Sequence, residues 1–335
     1  MLTLALDGMG GDAAPEIIIQ AIGLLKEEDI RFLVFGEAQQ IAPLLSKLPK
    51  ATSARVTLVP TTEVIGPDVK PSAAVRGYRD SSMFQAIHAV KNGEAAGVIS
   101  AGNTGAYMAL SMLAFRTVAD INRPAIATLL PNIHGASVVL DLGANVTCDV
   151  ENLVQFAVMG SVLANLVLHK SEPSVGLLNI GSEELKGNDT VKEAARILRE
   201  AQNINFYGFV EGDDIAKGTV DVIVTDGFTG NVALKTAEGV ARMMAQFSRE
   251  AFKANWMSRL GYLLAYGPFQ KLKAKLDPRH HDGAIFIGLN HVAVKSHGGT
   301  DAVGFANAIR VTQNIVENNL NQRIITELNR VACVS

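Results

Sequence analysis

Cysteine is nearly missing from this chain: Cys148 and Cys333 are the only two among 335 residues. That excludes a disulfide framework and fits a reducing compartment. Neither sign of charge is in excess, since 30 Lys and Arg face 33 Asp and Glu for a net charge of −3. No global basic field is there to hold nucleic acid. The N-terminal stretch reaches Asp7 without the basic opening of a secretory signal. The longest uncharged run, residues 95–115, is long enough to span a bilayer, but Ser100-Ala-Gly-Asn-Thr-Gly105 interrupts it and would strand polar groups in lipid. A soluble, cytoplasmic protein is expected. No Ser/Gly-rich linker or fixed-period repeat divides the chain. What is present is globular composition, 48% hydrophobic and 19% charged, read as one domain over residues 1–335.

Short β-branched runs at 2–6, 31–35, 55–59, 97–100, 125–130, 137–140, 175–180 and 220–225 predict strands. Amphipathic or apolar stretches at 15–26, 72–91, 106–115, 150–168, 190–201 and 232–244 predict helices between and after them. This alternation points to a three-layer α/β/α sandwich with a mostly parallel, Rossmann-like sheet covered on both faces. Residues 246–279 stand apart, with seven Lys or Arg against Glu250 and Asp277 and with the single tryptophan, Trp256. They read as a projecting, basic, amphipathic helical pair whose uses include an anionic membrane surface, an acidic carrier protein or a dimer interface.

In an open parallel sheet, ligands bind beyond the carboxyl ends of the strands. Five loops there share glycine with small polar residues: 7–12, 100–105, 141–145, 179–186 and 226–231. Glycine lets a backbone approach an anion, and a helix N-terminus offers N–H groups. The loops are expected on one sheet edge, with two anion nests, at 100–105 before one helix and at 226–231 before another. Other readings are weaker. Gly8-Met-Gly-Gly-Asp-Ala13 matches a loose dinucleotide pattern with Glu37 as the ribose acid, yet Asp7 and Asp12 would repel a pyrophosphate. Lys235 is too far from the last glycine for a Walker loop. His280, His281 and Asp282 read as a solvated turn rather than a metal site. Cys148 has no histidine near in sequence to activate it and reads as packing, with a spatial partner left open.

At these loops the chain resembles the phosphate acyltransferases of bacterial phospholipid synthesis (PlsX). The matching stretches are 7–12, Lys70-Pro-Ser-Ala-Ala-Val-Arg76, 100–106, Arg123-Pro124, 139–145, 179–187, 226–236 and Lys295-Ser-His-Gly298, in the family's order. The resemblance implies transfer of a long-chain fatty acyl group from acyl carrier protein to inorganic phosphate. The product is acyl phosphate for phosphatidic acid synthesis, where an acyl-phosphate glycerol-3-phosphate acyltransferase consumes it. It also implies a homodimer, a fold related to phosphotransacetylases and isopropylmalate dehydrogenases, and no cofactor or metal. Two stretches depart from the family pattern, Asp282-Gly-Ala-Ile-Phe-Ile-Gly288 and Gly298-Gly-Thr-Asp301.

Such a reaction needs no covalent enzyme intermediate, because phosphate is the nucleophile. It needs a held anion, donors to the carbonyl oxyanion and a proton for the leaving thiolate. Phosphate is accordingly expected at Ser100, Gly102, Asn103, Thr104 and Gly105 and at Thr229, Gly230 and Asn231. Lys186 or Arg76 supplies charge, and Lys70, Asn145 and Gly181 join the substrate-binding set. His297 is the candidate proton donor, with a satisfied loop histidine as its alternative. For Lys186 the alternative is an exposed ion pair. Asp141 and Asp226 are expected to orient neighbouring donors. Three other functions stay open: a phosphotransacetylase acting on a small acyl group, a NAD-linked dehydrogenase of the isopropylmalate type, and a carrier-protein-binding membrane scaffold.

Overall fold

The computed structural model describes residues 1–25, 29–275 and 282–332. Its strands are β1 (Leu2–Asp7), β2 (Ile30–Gly36), β3 (Val56–Pro60), β4 (Gly97–Ser100), β5 (Ala125–Asn132), β6 (Gly135–Leu140), β7 (Ser174–Leu178), β8 (Asn205–Val210), β9 (Val222–Val224), β10 (Ala284–Ile287) and β11 (Val292–Lys295). All eight expected strands are among them, and β8, β10 and β11 are additional. The helices are α1 (Glu16–Leu24), α2 (Ala38–Leu45), α3 (Lys50–Ser53), α4 (Pro71–Arg76), α5 (Ser82–Lys91), α6 (Thr104–Phe115), α7 (Val150–Val167), α8 (Asp189–Glu200), α9 (Gly212–Lys217), α10 (Gly227–Lys253), α11 (Trp256–Leu264), α12 (Tyr266–Lys275), α13 (Ala302–Glu317) and α14 (Leu320–Ala332). The stretch 72–91 is two helices, because Gly77 ends α4 and Ser81 starts α5 by accepting from the Phe84 N–H.

The strands form one sheet in the order β3-β2-β1-β4-β11-β10-β5-β6-β9-β7-β8. Pairing is parallel from β3 to β11, antiparallel at β11–β10, β10–β5 and β5–β6, and parallel again from β6 to β8. Counting those reversals, β6, β9, β7 and β8 run opposite to β1, β2, β3, β4 and β11. The sheet is thus two parallel half-sheets pointing in opposite directions. Strand-end loops of the first half leave one edge, and those of the second half leave the other. The expectation of five loops on a single edge is therefore corrected: 7–12 and 100–105 share one edge, while 141–145, 179–186 and 226–231 share the opposite one.

Side-chain alternation decides which face each strand end serves. On one face Leu4, Leu6, Ile99, Val138, Leu140, Val222 and Val224 pack with α1, α7, α8 and α13. On the other, Ala5, Val98, Val139, Ile223, Phe286 and Ala293 pack with α4, α5 and α6. Leu234 of α10 and Ile215 of α9 join that second layer. Counting on by two from Ala5, Val98, Ala293, Val139 and Ile223 places Asp7, Ser100, Lys295, Asp141 and Thr225 on this second face. Both half-sheets therefore turn their terminal polar residues toward the same layer. Helix α7 is long and apolar enough to cross a membrane, but 72% of it is buried inside the protein.

Over its described part, 246–275, the segment is three helical pieces rather than a pair: the distal part of the 27-residue α10, then α11 and α12. Only Gly227 and Gly230 of α10 are buried, and none of α11. Phe252, Tyr262, Tyr266 and Phe269 meet in tilted and edge-to-face contacts where the helices fold back. Arg279, His280, His281 and Cys333 lie outside the described residues.

Candidate active site

At the edge of the first half-sheet, Asp7 and Ser100, which close β1 and β4, share one buried network with Ser82. Asp7 accepts from Ser82 Oγ at 2.6 Å and from Ser100 Oγ at 2.6 Å, and is 1% exposed. Burial raises its pKa against the opposing pull of these hydrogen bonds and of the Lys295 charge. Ser100 Oγ in turn accepts the Gly102 N–H at 3.0 Å. Ser100 and the Gly102 amide are thus committed to the fold, contrary to their expected place on phosphate. So is Asn103. Its Oδ1 caps α6 at Ala106 N, and its Nδ2 donates to the carbonyls of Gly66, Pro67 and Val69. It folds the proline-rich 60–71 loop onto the start of α6. Of that nest, Thr104 and Gly105 remain exposed. Lys70 and Arg76, at the two ends of α4, are also exposed and make no ion pair among the described residues.

The 7–12 turn is filled by protein. A side chain on Gly10 would meet the Asp7 carboxylate and Gly102 N, and Gly11, at φ +108, faces Ala101 and the Gly298 carbonyl. The turn packs its glycines against the neighbouring Ala101–Gly102 and Gly298 backbone. His297 follows β11 at the same edge. Its Nδ1 accepts the Gly299 N–H at 3.1 Å, which puts the neutral ring's proton on Nε2. The ring is exposed, while its backbone N–H and the Ser296 and Thr300 hydroxyls all donate to Asp282.

One residue here escaped the sequence reading. Lys295 is 8% exposed, and its ammonium donates to Ala101 O at 3.2 Å and to Ser296 O. Burial lowers its pKa to about 8, while Asp282, Asp7 and Asp12 pull the other way and Lys235 adds to the depression. The missed strand β11 hid it, since without the strand there was no reason to place the lysine inward.

The edge of the second half-sheet is built on Asp141. Its Oδ1 accepts the N–H groups of Ile126, Gly143 and Ala144, and its Oδ2 accepts Asn145 N and Nδ2. Asn145 Nδ2 also reaches Pro124 O at 2.8 Å. Both residues therefore shape the turn, Asn145 giving its side-chain N–H groups to Asp141 and to Pro124 O. The start of α10 is seated on this turn. Gly227 N donates to Asn145 O at 2.8 Å, and a Cβ on Gly230 would collide with the Asp141 carbonyl oxygen. Asp226 caps the helix, accepting from Thr229 N at 2.9 Å and Thr229 Oγ1 at 2.8 Å. Asn231 lies against Gly143, exposed, with its amide uncommitted among the described residues.

Beside it, Asn179 Nδ2 pins the next loop through the carbonyls of Gly181 and Lys186. Lys186 pairs with Glu183 at 3.1 Å in the open, the exposed ion pair held as its alternative. Cys148 is half-buried. Its pKa is pushed up to about 12 by burial, then by Asp141 and Asp226, with Arg123 pulling it down.

Of the four expected catalytic residues, Lys186, Asp226 and Asn231 lie in or just after loops that follow strands of the second half-sheet, and His297 follows β11 of the first. Helix α10 carries Asn231 and, four residues on, Lys235, which pairs with Glu238 at 3.0 Å. Asn231 and Lys235 share one helix face at i, i+4.

Comparison with known proteins fits this architecture. The family model described as "Fatty acid synthesis protein" matches residues 2–323. A phosphate acyltransferase of Rhodospirillum rubrum is 54% identical over 333 residues, covering 98% of this chain and 95% of its own. One from Rhodospirillum centenum is 53% identical over 331 residues, covering 98% and 93%. Among solved structures, a phosphotransacetylase from Streptococcus pyogenes superposes with TM-score 0.65 at 18% identity, over 95% of this chain and 94% of that one. The EutD phosphotransacetylase from Staphylococcus aureus gives 0.61 at 16%, over 94% of each. Those identities are too low to carry more than the fold, which is the α/β sandwich expected. The two sequence relatives and the family model carry more: this chain belongs to the phosphate acyltransferase family and is an acyltransferase.

Proposed function

We propose that this enzyme transfers a long-chain fatty acyl group from acyl carrier protein to inorganic phosphate, giving acyl phosphate for phospholipid synthesis. A phosphate oxygen attacks the thioester carbonyl, the C–O bond forms, the C–S bond breaks, and the thiolate leaves with a proton. One observation supports this most directly. The site offers cations and exposed donors, but its hydroxyl and thiol candidates are inert. Ser100 Oγ is bonded to a carboxylate, and Cys148 holds its proton to about pH 12. A reaction whose nucleophile arrives as substrate suits such a site. In this scheme His297, exposed after β11, gives the proton from its imidazolium form, and the proton that the attacking hydrogen phosphate loses restores it.

On the same reading the enzyme is a cytoplasmic homodimer that touches the membrane and hands its product to a glycerol-3-phosphate acyltransferase. Trp256, Met257, Leu260, Leu263 and Leu264 are exposed on α11, near Arg249, Lys253 and Arg259. Apolar side chains among cations suit an anionic bilayer surface.

The test is incubation of the purified full-length chain with phosphate and either long-chain acyl carrier protein or an acyl-CoA, scoring acyl phosphate. Product from the carrier protein is expected. Product from short acyl-CoA alone overturns the donor assignment, and no product from either overturns the reaction. For the surface, reversing Lys253 and Arg259 together with Leu260→Glu should weaken binding to anionic vesicles and leave the dimer intact. Dissociation of the dimer would make α11 an interface instead.

A further inference from the structure

Asp282 stands just before β10, half-buried, and three donors of one short turn converge on its carboxylate. Its Oδ2 accepts the Ser296 hydroxyl at 2.9 Å and the Thr300 hydroxyl, and its Oδ1 accepts the His297 N–H at 3.1 Å. Two backbone bonds tie the same turn to its neighbours. Ser296 N donates to Ser100 O at 3.0 Å, and Asp12 N donates to Gly298 O at 2.9 Å. Asp282 is itself anchored, since Asn307 Nδ2 of α13 donates to its carbonyl at 2.9 Å. Gly304 lets α13 lie against this clasp, because a Cβ there would meet Thr300 Oγ1 and Asp282 Oδ2. The His297 ring is exposed and keeps one contact, the Gly299 N–H on Nδ1 at 3.1 Å. Its Nε2 has no protein partner among the described residues. Asp282 and Thr300 lie in the two stretches that depart from the family pattern, and the clasp joins them.

We propose that Asp282 is the positioning residue for His297, fixing the turn so that the ring keeps one place from which its proton reaches the leaving sulfur. This deepens the acyl-transfer reading, on which the proton step rests, while the clasp rests on the bonds above. A general acid acts only within hydrogen-bond reach of the atom it protonates, and misplacing a reacting group is costly. Gly298 and Gly299 make the turn loose by composition, and charge-assisted hydrogen bonds to one carboxylate make it rigid. Both oxygens of Asp282 are engaged by the turn, so the residue acts through it. An asparagine in its place keeps an acceptor for His297 N and can give its amide protons to the two hydroxyls, which accept as well as donate. An alanine keeps none of the three bonds.

Turnover of the full-length protein is measured with two long-chain acyl thioesters, one of an alkyl thiol and one of a more acidic aryl thiol that leaves without a proton. With the alkyl thioester, His297→Gln should lose about a hundredfold in turnover and Asp282→Ala at least about tenfold, with both KM values unchanged. With the aryl thioester each loss should shrink to within about threefold. The double variant should be no slower than His297→Gln alone, because the two residues act as a unit. Asp282→Asn should stay within about threefold of the wild type. Thr300→Val removes a single donor, so a smaller loss with the same dependence on the leaving group decides the matter where Asp282→Ala fails to fold. A loss in Asp282→Ala or Thr300→Val that ignores the leaving group, or that multiplies with the His297→Gln loss, overturns the proposal. Hydrogen exchange at the His297 and Gly299 amides reads the clasp without chemistry. It should quicken by at least about tenfold in Asp282→Ala and stay near wild type in Asp282→Asn. Unchanged exchange in Asp282→Ala overturns the proposal as well. A His297→Gln defect that ignores the leaving group would instead remove His297 from the proton step, and quickened exchange in Asp282→Ala would leave the clasp standing.

Discussion

The two edges of the sheet use the same residue types in opposite ways. At the first, Asp7, Ser82, Ser100 and the Gly102 amide bond to one another and Asn103 to the carbonyls of Gly66, Pro67 and Val69, so the glycine-rich loop that looked like an anion nest is a lock. At the second, Asp141 and Asn145 absorb the backbone of their own turn and leave Asn231 and Lys186 outside it. Serine and asparagine at a strand end thus do not announce a binding site by themselves. What separates the two cases is whether a carboxylate or carbonyl of the fold has already claimed their protons. The first edge is a rigid frame for one inward cation, and the second is a platform that presents a helix.

The largest effect that would test this contrast is at the platform's seat. Gly230→Ala puts a methyl group into the Asp141 carbonyl, so the first turn of α10 must lift. We expect stability to fall by on the order of 3 kcal/mol and turnover by more than about a hundredfold, read by thermal unfolding and initial rates. Near-normal values in both would show that α10 is not fixed by this turn.

Next comes the frame's cation. A folded-state pKa of about 8 for Lys295, below the ordinary lysine value of 10.5, means that the unfolded chain binds its proton more tightly. The penalty is full below pH 8 and fades as pH rises toward 10.5. Relative to Lys295→Met, the wild type should gain up to about 3 kcal/mol across that window, at about 1.4 kcal/mol per pH unit. Denaturant titrations at pH 7.5 and 10.5 measure it. A constant difference between the two proteins would place the ammonium in water.

The asparagines give a smaller and paired test. Asn231→Ala should lower turnover by about a hundredfold with little change in stability. Asn103→Ala should cost about 1–2 kcal/mol and speed proteolysis within 61–70, with turnover changed only a few fold. Exchanged outcomes would reverse the assignment of frame and platform.

Much of this was legible in the sequence. Eight strands and the sandwich follow from β-branched runs alternating with helical periods, and the strand-end loops carry both clusters. The direction of the second half-sheet was legible too, in a signal that went unused. The expected strands at 125–130 and 137–140 are six residues apart, too few for a parallel crossover. That spacing demands a hairpin, and Gly135 at φ +141 sits in it. That one reversal sends the later loops to the far edge, since β10 is antiparallel to both β5 and β11 and leaves β5 parallel to the first half-sheet. The strands β10 and β11 were missed because four-residue runs after a basic helical stretch carry little period-2 signal. The missed β11 took the placement of Lys295 with it. The commitment of Ser100 and Asn103 was not legible, because their partners, Asp7 and the carbonyls of 66–69, are distant in sequence.

The smallest expected effect concerns Cys148, the thiol at the platform. It packs at the margin of the core, and its proton is held by burial and by the nearby Asp141 and Asp226. With a pKa of about 12, only about one thiol in 10⁵ is ionised at pH 7, far from the activated range of nucleophilic cysteines. Arg123 opposes that rise without reversing it. Cys148→Ala should therefore keep turnover within about threefold and cost no more than ~1.5 kcal/mol of stability. Alkylation of the native wild type at pH 7 should be slow and should quicken above pH 10. Acyl transfer lost by more than a hundredfold in a folded Cys148→Ala protein, or a thioester-linked acyl group trapped on Cys148, would replace direct attack by phosphate with a two-step path through the enzyme. The platform would then be a nucleophile's pocket rather than a helix seat.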